Sequence, residues 1–480
     1  MEITFDELIL ELDNLQGILD YRYRDGSSIW LSVRFDLRMM NFANSTGRIT
    51  IEKDRRISKF TVIRYFIHTL FNSPLLNKSN VNILSIANYE GNKEIPNIWT
   101  SFLKKIDANK TRELLYSHQF ISFGNKKGYY SLDYFYNIAK IKAKIKKWTF
   151  NKSKNNTQNL DGFFQLLEEK LAKYVTSNDI INLKNQVGYI DTLSKPYFAQ
   201  IFKYLQAVKP ALIVTSEGNN GDWKYCALFR AAHALKIPTA EVQHGALGLG
   251  MRYGTQLAQN PEFRSQKSTY LLTFGEYHNG CSNAATQNIA LGNFRLEQET
   301  KGMNRALKKE GNQKTRLLFI SEGIPPSALN NGFVTTVAKA LKKLDDKYEV
   351  TVRLHPSEKS REKYQVFEHK NISYSTGDYN SIYSVLDSAD IVLGHASTVL
   401  FEAAYFKKKI LIYEDEVSLK YMPAGLGYWF SDAEKLLELI TQTERKDIQE
   451  NHFWQGGDYC DNFLAFYNSH ILKPGEGKLL

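Results

Sequence analysis

Short runs of β-branched and apolar residues alternate with stretches of helical periodicity through most of the chain. Such runs, bounded by Gly, Pro, Asn or Asp, predict buried strands of a parallel sheet, and the periodic stretches predict the helices that cover it. In the first half the strand candidates are residues 81–89 (VNILSIANY), 211–218 (ALIVTSEG), 239–245 (TAEVQHG), 269–275 (TYLLTFG) and 288–293 (NIALGN). The second half offers 316–323 (RLLFISEG), 348–356 (YEVTVRLHP), 372–377 (ISYSTG), 390–395 (DIVLGH) and 409–415 (KILIYED). Helices are predicted over 332–346, 379–389 and 398–408, and the polar stretch 296–315 reads as a linker or linking helix. The second set alone predicts a complete Rossmann-type domain, whereas the first 200 residues are less regular.

Length agrees with this division, because 480 residues exceed one ordinary core and suit two domains of about 200 residues each. The expected boundaries are 1–300 for an N-terminal domain with irregular additions and 301–450 for a C-terminal domain. Residues 451–480 are expected to cross back to the first. Cys226, Cys281 and Cys460 are far apart and lack the spacing of a metal site or disulfide framework, which points to a reducing, cytoplasmic compartment. The opening MEITFDELILELDNL is acidic rather than signal-like, and no apolar run is long enough to span a membrane.

The net charge of +11 changes the picture only through its placement. Residues 138–156 are rich in lysine and hold no acid. Ile138, Ile141 and Ile145 fall at helical spacing among Lys140, Lys142, Lys144, Lys146 and Lys147, and Trp148 follows. Such a helix is either a solvated face or a surface-lying contact with an anionic membrane. Motifs of nucleic-acid recognition are absent, so no nucleic-acid partner is expected.

Candidate chemistry collects where strands end. In parallel α/β sheets ligands bind beyond the carboxyl ends of the strands, so two such domains facing each other hold a ligand in a cleft between them. RLHPSE places His355 at a strand end, before Pro356, which forces a turn. The imidazole either donates to a phosphate, with Arg353 or Lys359 adding charge, or satisfies a turn carbonyl. In DIVLGHASTVLFE, Ser397 and Thr398 open a helix, where they either cap it or meet an anion, and the two roles are compatible. Glu402, one turn on, is either a candidate for the ribose or base or a salt-bridged helix residue. Glu322 and Gly323 of the SEG that ends 316–323 are expected to face the same cleft. In the first domain Glu217 stands at a strand mouth, where a carboxylate suits a general base, with Asp222 as the alternative. Gln243, His244 and Gly245 end another strand; His244 can orient an acceptor or a departing phosphate, and Gly245 permits close approach. No metal-binding signature is present, and no metal site or cofactor is expected beyond the nucleotide-bound donor.

The ordered set SEG (Ser216–Gly218), QHG (Gln243–Gly245), HP (His355-Pro356) and ST (Ser397-Thr398) resembles glycosyltransferases of GT-B architecture. It is most similar to the bacterial sialyltransferases and capsule Kdo transferases that use CMP-activated acids. The resemblance covers roughly residues 210–413. It implies an α/β GT-B fold, two Rossmann-like domains facing each other across a cleft. It implies Glu217 as catalytic base, His244 as the QHG histidine, and His355, Pro356, Ser397 and Thr398 as the donor-phosphate contacts. Ser216 departs from the pattern, since sialyltransferases usually carry a second acid there. The expected activity is an inverting, metal-independent transfer of a sialic-acid- or Kdo-like sugar from CMP to a glycan or lipid-linked glycan of a bacterial surface polysaccharide, at the inner face of the cytoplasmic membrane. The alternatives are a UDP-, GDP- or dTDP-sugar donor, a CDP-polyol phosphotransferase, and a sugar-nucleotide 2-epimerase.

Overall fold

The computed structural model describes residues 5–46, 59–76, 81–88, 99–107, 110–116, 129–149, 160–216, 218–245, 256–280, 285–301, 303, 314–321, 331–355, 358, 361–376, 382–442 and 450–472. Two parallel sheets organise the chain. The first contains β1 (Ile83–Asn88), β2 (Thr111–Tyr116), β3 (Tyr129–Ser131), β4 (Leu212–Thr215), β5 (Thr239–Val242), β6 (Tyr270–Thr273) and β7 (Gln287–Ala290). The second contains β8 (Thr315–Ile320), β9 (Tyr348–Arg353), β10 (Ile372–Ser375), β11 (Ile391–Gly394), β12 (Lys409–Tyr413) and β13 (Tyr428–Phe430). Strand order is β3-β2-β1-β4-β5-β6-β7 in the first and β10-β9-β8-β11-β12-β13 in the second. Both follow the Rossmann order, in which the chain starts mid-sheet, builds to one edge, then returns past its first strand to build the other. The fold is α/β of GT-B architecture, as expected.

The apolar runs explain the sheets. Parallel strands are covered by helices on both faces, so their side chains are buried on both sides. All four residues of β4 are buried, as are all four of β11. All ten strands expected from the sequence form, and three were missed. In β2 the charges of Arg112 and Glu113 break the apolar run, yet both are buried. Tyr204 accepts from Arg112 at 3.3 Å, while Thr100 donates to Glu113 at 2.8 Å. Burial pushes the Glu113 carboxyl above the usual range. β3 and β13 are three-residue edge strands, too short to stand out in a sequence.

Two of the described helices before β1 belong to a helical layer. Helices Phe5–Asp13 and Ile29–Thr46 share a core with the helix Asp161–Leu171 and the start of the 32-residue helix Ser177–Val208. Inside that layer Trp30 Nε1 donates to Asp13 at 2.8 Å, and Arg34 pairs with the same carboxylate.

The last described segment ties the domains together. Trp454 stacks on Phe274 of the first domain, and its Nε1 donates to the Phe401 carbonyl of the second at 2.9 Å. Here Gly275 is required, because a Cβ would lie 2.4 Å from the Phe453 backbone. The helix Tyr459–Phe466 then packs against Phe102 and Phe294 of the first domain.

Candidate functional site

In each sheet the chain reverses its direction of building at the first strand, which opens a crevice above the carboxyl ends. In the second domain that crevice lies between β8 and β11, and it is walled by Ile320 and Ser321 after β8, Leu354 and His355 after β9, and Ala396 to Val399 after β11. Trp99, His244 and Arg295 of the first domain close the other side. The space enclosed is about 330 Å³. Two strand-end motifs far apart in the sequence meet here: a Cβ on Gly245 would lie 3.7 Å from the Thr398 hydroxyl. A larger residue at 245 would therefore fill the gap between the domains.

Ser397 is the N-cap of helix Thr398–Tyr405, accepting from the Val399 N–H at 3.3 Å. The amino end of this helix lines the cavity through Ala396 to Val399, and the positive end of the helix dipole there favours an anion. Gly394 allows this turn, since a Cβ there would meet Leu400 at 2.7 Å. His395 plays a different part. It is buried, its Nε2 lies 2.6 Å from Asp415, and its ring sits against Phe333 and Tyr413. It orients the loop from behind.

The β8 and β9 loops are locked by one carboxylate. Glu358 accepts from the His355 backbone N–H at 2.8 Å, from the Tyr364 hydroxyl at 3.0 Å and from the Ser321 hydroxyl. Ser321 and Tyr364 are buried, so losing their acceptor would be costly. Arg353, also buried, lines the cavity and holds β10 through Ser375 at 2.9 Å.

Glu402 and Arg295 form the floor. Glu402 is buried, accepts from Tyr383 at 3.0 Å, and lines the cavity. Burial pushes its carboxyl up to about 7, against the counter-pull of Arg295. Arg295 comes from the other domain, on helix Phe294–Glu299 after β7. Its guanidinium lies between the rings of Trp99 and Tyr383, 5.7 Å from each centroid, and it pairs with Glu299 at 2.8 Å. Neither Arg295 nor Trp99, nor Glu358, was singled out in the sequence. The signal for Arg295 was the strand-end LGNFR, in which Asn293 caps the helix.

Of the expected site residues, the structure brings His244, Gly245, Arg353, His355, Ser397, Thr398 and Glu402 to this cavity. Two expectations are corrected. Gln243 is fully buried beneath the site. Its amide donates to the Gly245 carbonyl at 2.8 Å and accepts from the Phe274 N–H at 2.8 Å, so it shapes the His244 loop instead of facing a ligand. Its amide nitrogen also lies 3.3 Å from His278 Nδ1, and burial pushes His278 down to about 3, so that ring is a neutral acceptor. Asp222 caps helix Trp223–Ala234, accepting from the Lys224 N–H at 2.7 Å. It does not line the cavity, and the cap occupies the carboxylate proposed as an alternative base. Glu217, Glu322, Gly323, Pro356 and Lys359 lie outside the described residues, as do the side chains of Lys146, Lys147 and Trp148. Among the described residues no group of three or more His, Cys, Asp or Glu is placed to hold a metal ion.

Residues 329–452, about a quarter of the chain, match the family described as CDP-Glycerol:Poly(glycerophosphate) glycerophosphotransferase. That segment spans helix Asn331–Leu341 through to the domain-crossing segment and so contains His355, Ser397, Thr398 and Glu402. No curated protein matches the sequence. Solved structures of similar outline include UDP-GlcNAc 2-epimerase from Methanocaldococcus jannaschii, at 13% identity over 80% of this chain and 99% of that one, with a TM-score of 0.47. The enzyme of the same name from Neisseria meningitidis bound to UDP-GlcNAc is 12% identical over 80% and 98%, with a TM-score of 0.42. Anabaena HepE in complex with UDP is 11% identical over 81% and 95%, at 0.38. Similarity this low adds nothing to what the strand order already establishes.

Proposed function

We propose that this chain is a transferase whose donor is activated by a cytidine nucleotide and whose leaving group is CMP. The juxtaposition of His355 with the Thr398 helix N-terminus, inside the segment similar to CDP-glycerol glycerophosphotransferases, is the observation that carries the reading. In a CDP-polyol donor the acceptor hydroxyl attacks the phosphorus bearing the polyol. The bond to the bridging oxygen breaks, and CMP departs with its electron pair. The charge that develops is met by fixed groups: the positive end of the helix dipole, the Thr398 hydroxyl, the His355 ring and the Arg353 guanidinium. Donors already in place need no reorganisation during reaction. They also supply the countercharge that a metal ion supplies in other phosphoryl transfers, so we propose a metal-independent reaction. His244 stands on the opposite wall, where an acceptor enters, and serves as the base with Glu217 as the alternative. Glu402 and Arg295 form the floor that takes the ribose or base.

A CMP-activated acidic sugar is the second reading, supported by the ordered SEG, QHG, HP and ST motifs. It also releases CMP and uses the same phosphate contacts. The test begins with thermal shifts against CMP, CDP, UDP, GDP and dTDP. A nucleotide at a hundred times its dissociation constant stabilises by about 2.7 kcal/mol. We expect CMP to stabilise the protein and His355→Ala to abolish the effect. Turnover of CDP-glycerol or another CDP-polyol, against CMP-sialic acid and CMP-Kdo, then separates the two donors. Stabilisation by UDP, GDP or dTDP in place of CMP would overturn both readings.

A further inference from the structure

Helix Lys59–Phe71 is largely inside out. Its buried positions are Tyr65 and Thr69, while most of its aliphatic and phenylalanine side chains are exposed. Phe60 is 74% exposed, Ile63 57% and Phe71 71%, with Ile67 and Leu70 exposed between them and Leu76 at 69% just beyond. Positions 60, 63, 67, 70 and 71 form one stripe at helical spacing. The polar side is fixed to a neighbour: Tyr65 donates to Asp133, Asn137 donates to Thr69 at 2.9 Å, and the Asn72 carbonyl accepts from the Ser131 N–H at 2.8 Å. The helix therefore cannot turn its apolar stripe inward without breaking these bonds.

The neighbour is helix Asp133–Thr149, the lysine-rich element. Its Ile141 and Ile145 are exposed, as are Lys142 and Lys144, and Arg64 is exposed on the first helix. The two helices hold two and five Lys or Arg residues, against the one acid Asp133, which is buried. Exposed apolar side chains in one continuous stripe mark a surface that meets another apolar phase. Lysine is depleted from the cores of protein interfaces, whereas apolar residues flanked by cations suit the boundary of an anionic bilayer.

We propose that these two helices form a docking face for an anionic lipid bilayer, with Phe60, Ile63, Ile67 and Phe71 entering the acyl boundary and the lysines meeting headgroup phosphates. The face is anchored at the carboxyl end of β3, on the same edge of the first sheet that opens to the cleft. An acceptor carried on lipid would therefore reach the His244 side of the cavity while the protein stays on the surface. Docking does not depend on which donor is used.

The test is co-sedimentation of the full chain with phosphatidylcholine vesicles and with vesicles that also contain phosphatidylglycerol. Binding should require the anionic lipid and weaken with salt. Each of Lys142→Gln and Lys144→Gln should weaken it about fivefold. The pair Phe60→Ser with Phe71→Ser should abolish it while leaving the melting temperature and the thermal shift by CMP intact, since both side chains are exposed. No binding, or equal binding to neutral vesicles, would overturn the proposal. So would a dimer in solution that the Phe60→Ser/Phe71→Ser pair converts to monomer without effect on vesicles, which would identify a second copy of the chain as the occupant.

Discussion

Glu402 should make the protein less stable as pH rises, and the effect has a size. Its carboxyl is moved from the ordinary 4.5 to about 7, first by burial, with Arg295 and the Tyr383 hydroxyl opposing. The folded state therefore holds this proton more tightly than the unfolded state. Below about pH 4 both states are protonated and the contribution is complete. Between about 4.5 and 7 the unfolded chain releases the proton and the folded chain keeps it, so stability falls with pH. Above about 7 both are ionised and the loss levels off at about 3 kcal/mol. Glu402→Gln removes the titration and keeps an oxygen to accept from Tyr383. Relative to wild type, the variant should gain stability progressively from about pH 5 to about pH 8, by about 3 kcal/mol at the top of the range. Urea midpoints of both proteins, followed by tryptophan fluorescence across that range, measure it. A difference that does not change with pH would refute the reasoning, because it would mean that the carboxylate ionises normally in the folded state.

Glu358→Ala should weaken CMP binding by 10-fold to 100-fold, the loss of one charged hydrogen bond to the His355 loop, with Glu358→Gln intermediate; calorimetric titration measures both. Ser397→Ala should lower stability by about 1 kcal/mol through the lost cap, whereas Thr398→Val should leave melting unchanged and raise the donor KM. Gly245→Ala should bind CMP normally, because the added methyl meets Thr398 only at contact distance, while Gly245→Trp should block binding without unfolding the chain. Gly275→Ala should cost about 1–3 kcal/mol by overpacking against the Phe453 backbone, seen as a lower melting temperature.

Both domains were legible in the pattern of apolar runs because a parallel strand is buried on both faces. Its composition is then dictated locally, and β4, β5, β8 and β11 read as strands without reference to any partner. The placement of His355, Ser397 and Thr398 was legible for a related reason: strand ends face the cleft whatever the loops contain. What the sequence could not show depended on contacts across long separations. β2 escaped notice because Arg112 and Glu113 are tolerated in a buried strand only once Tyr204 and Thr100 satisfy them. Gln243 and Asp222 look like site residues one by one, yet hydrogen bonds to Phe274 and Lys224 assign them to holding the scaffold. Arg295 reaches the cavity because β7 ends at its rim, and Glu358 because three donors from separate segments converge on it. Helix Lys59–Phe71 has an ordinary amphipathic sequence; that its apolar face points outward follows only from the bonds of Tyr65 and Thr69 to the helix beside it. Local burial fixes which residues make strands, but only the packed chain decides which polar groups already have partners and which are left to meet a ligand.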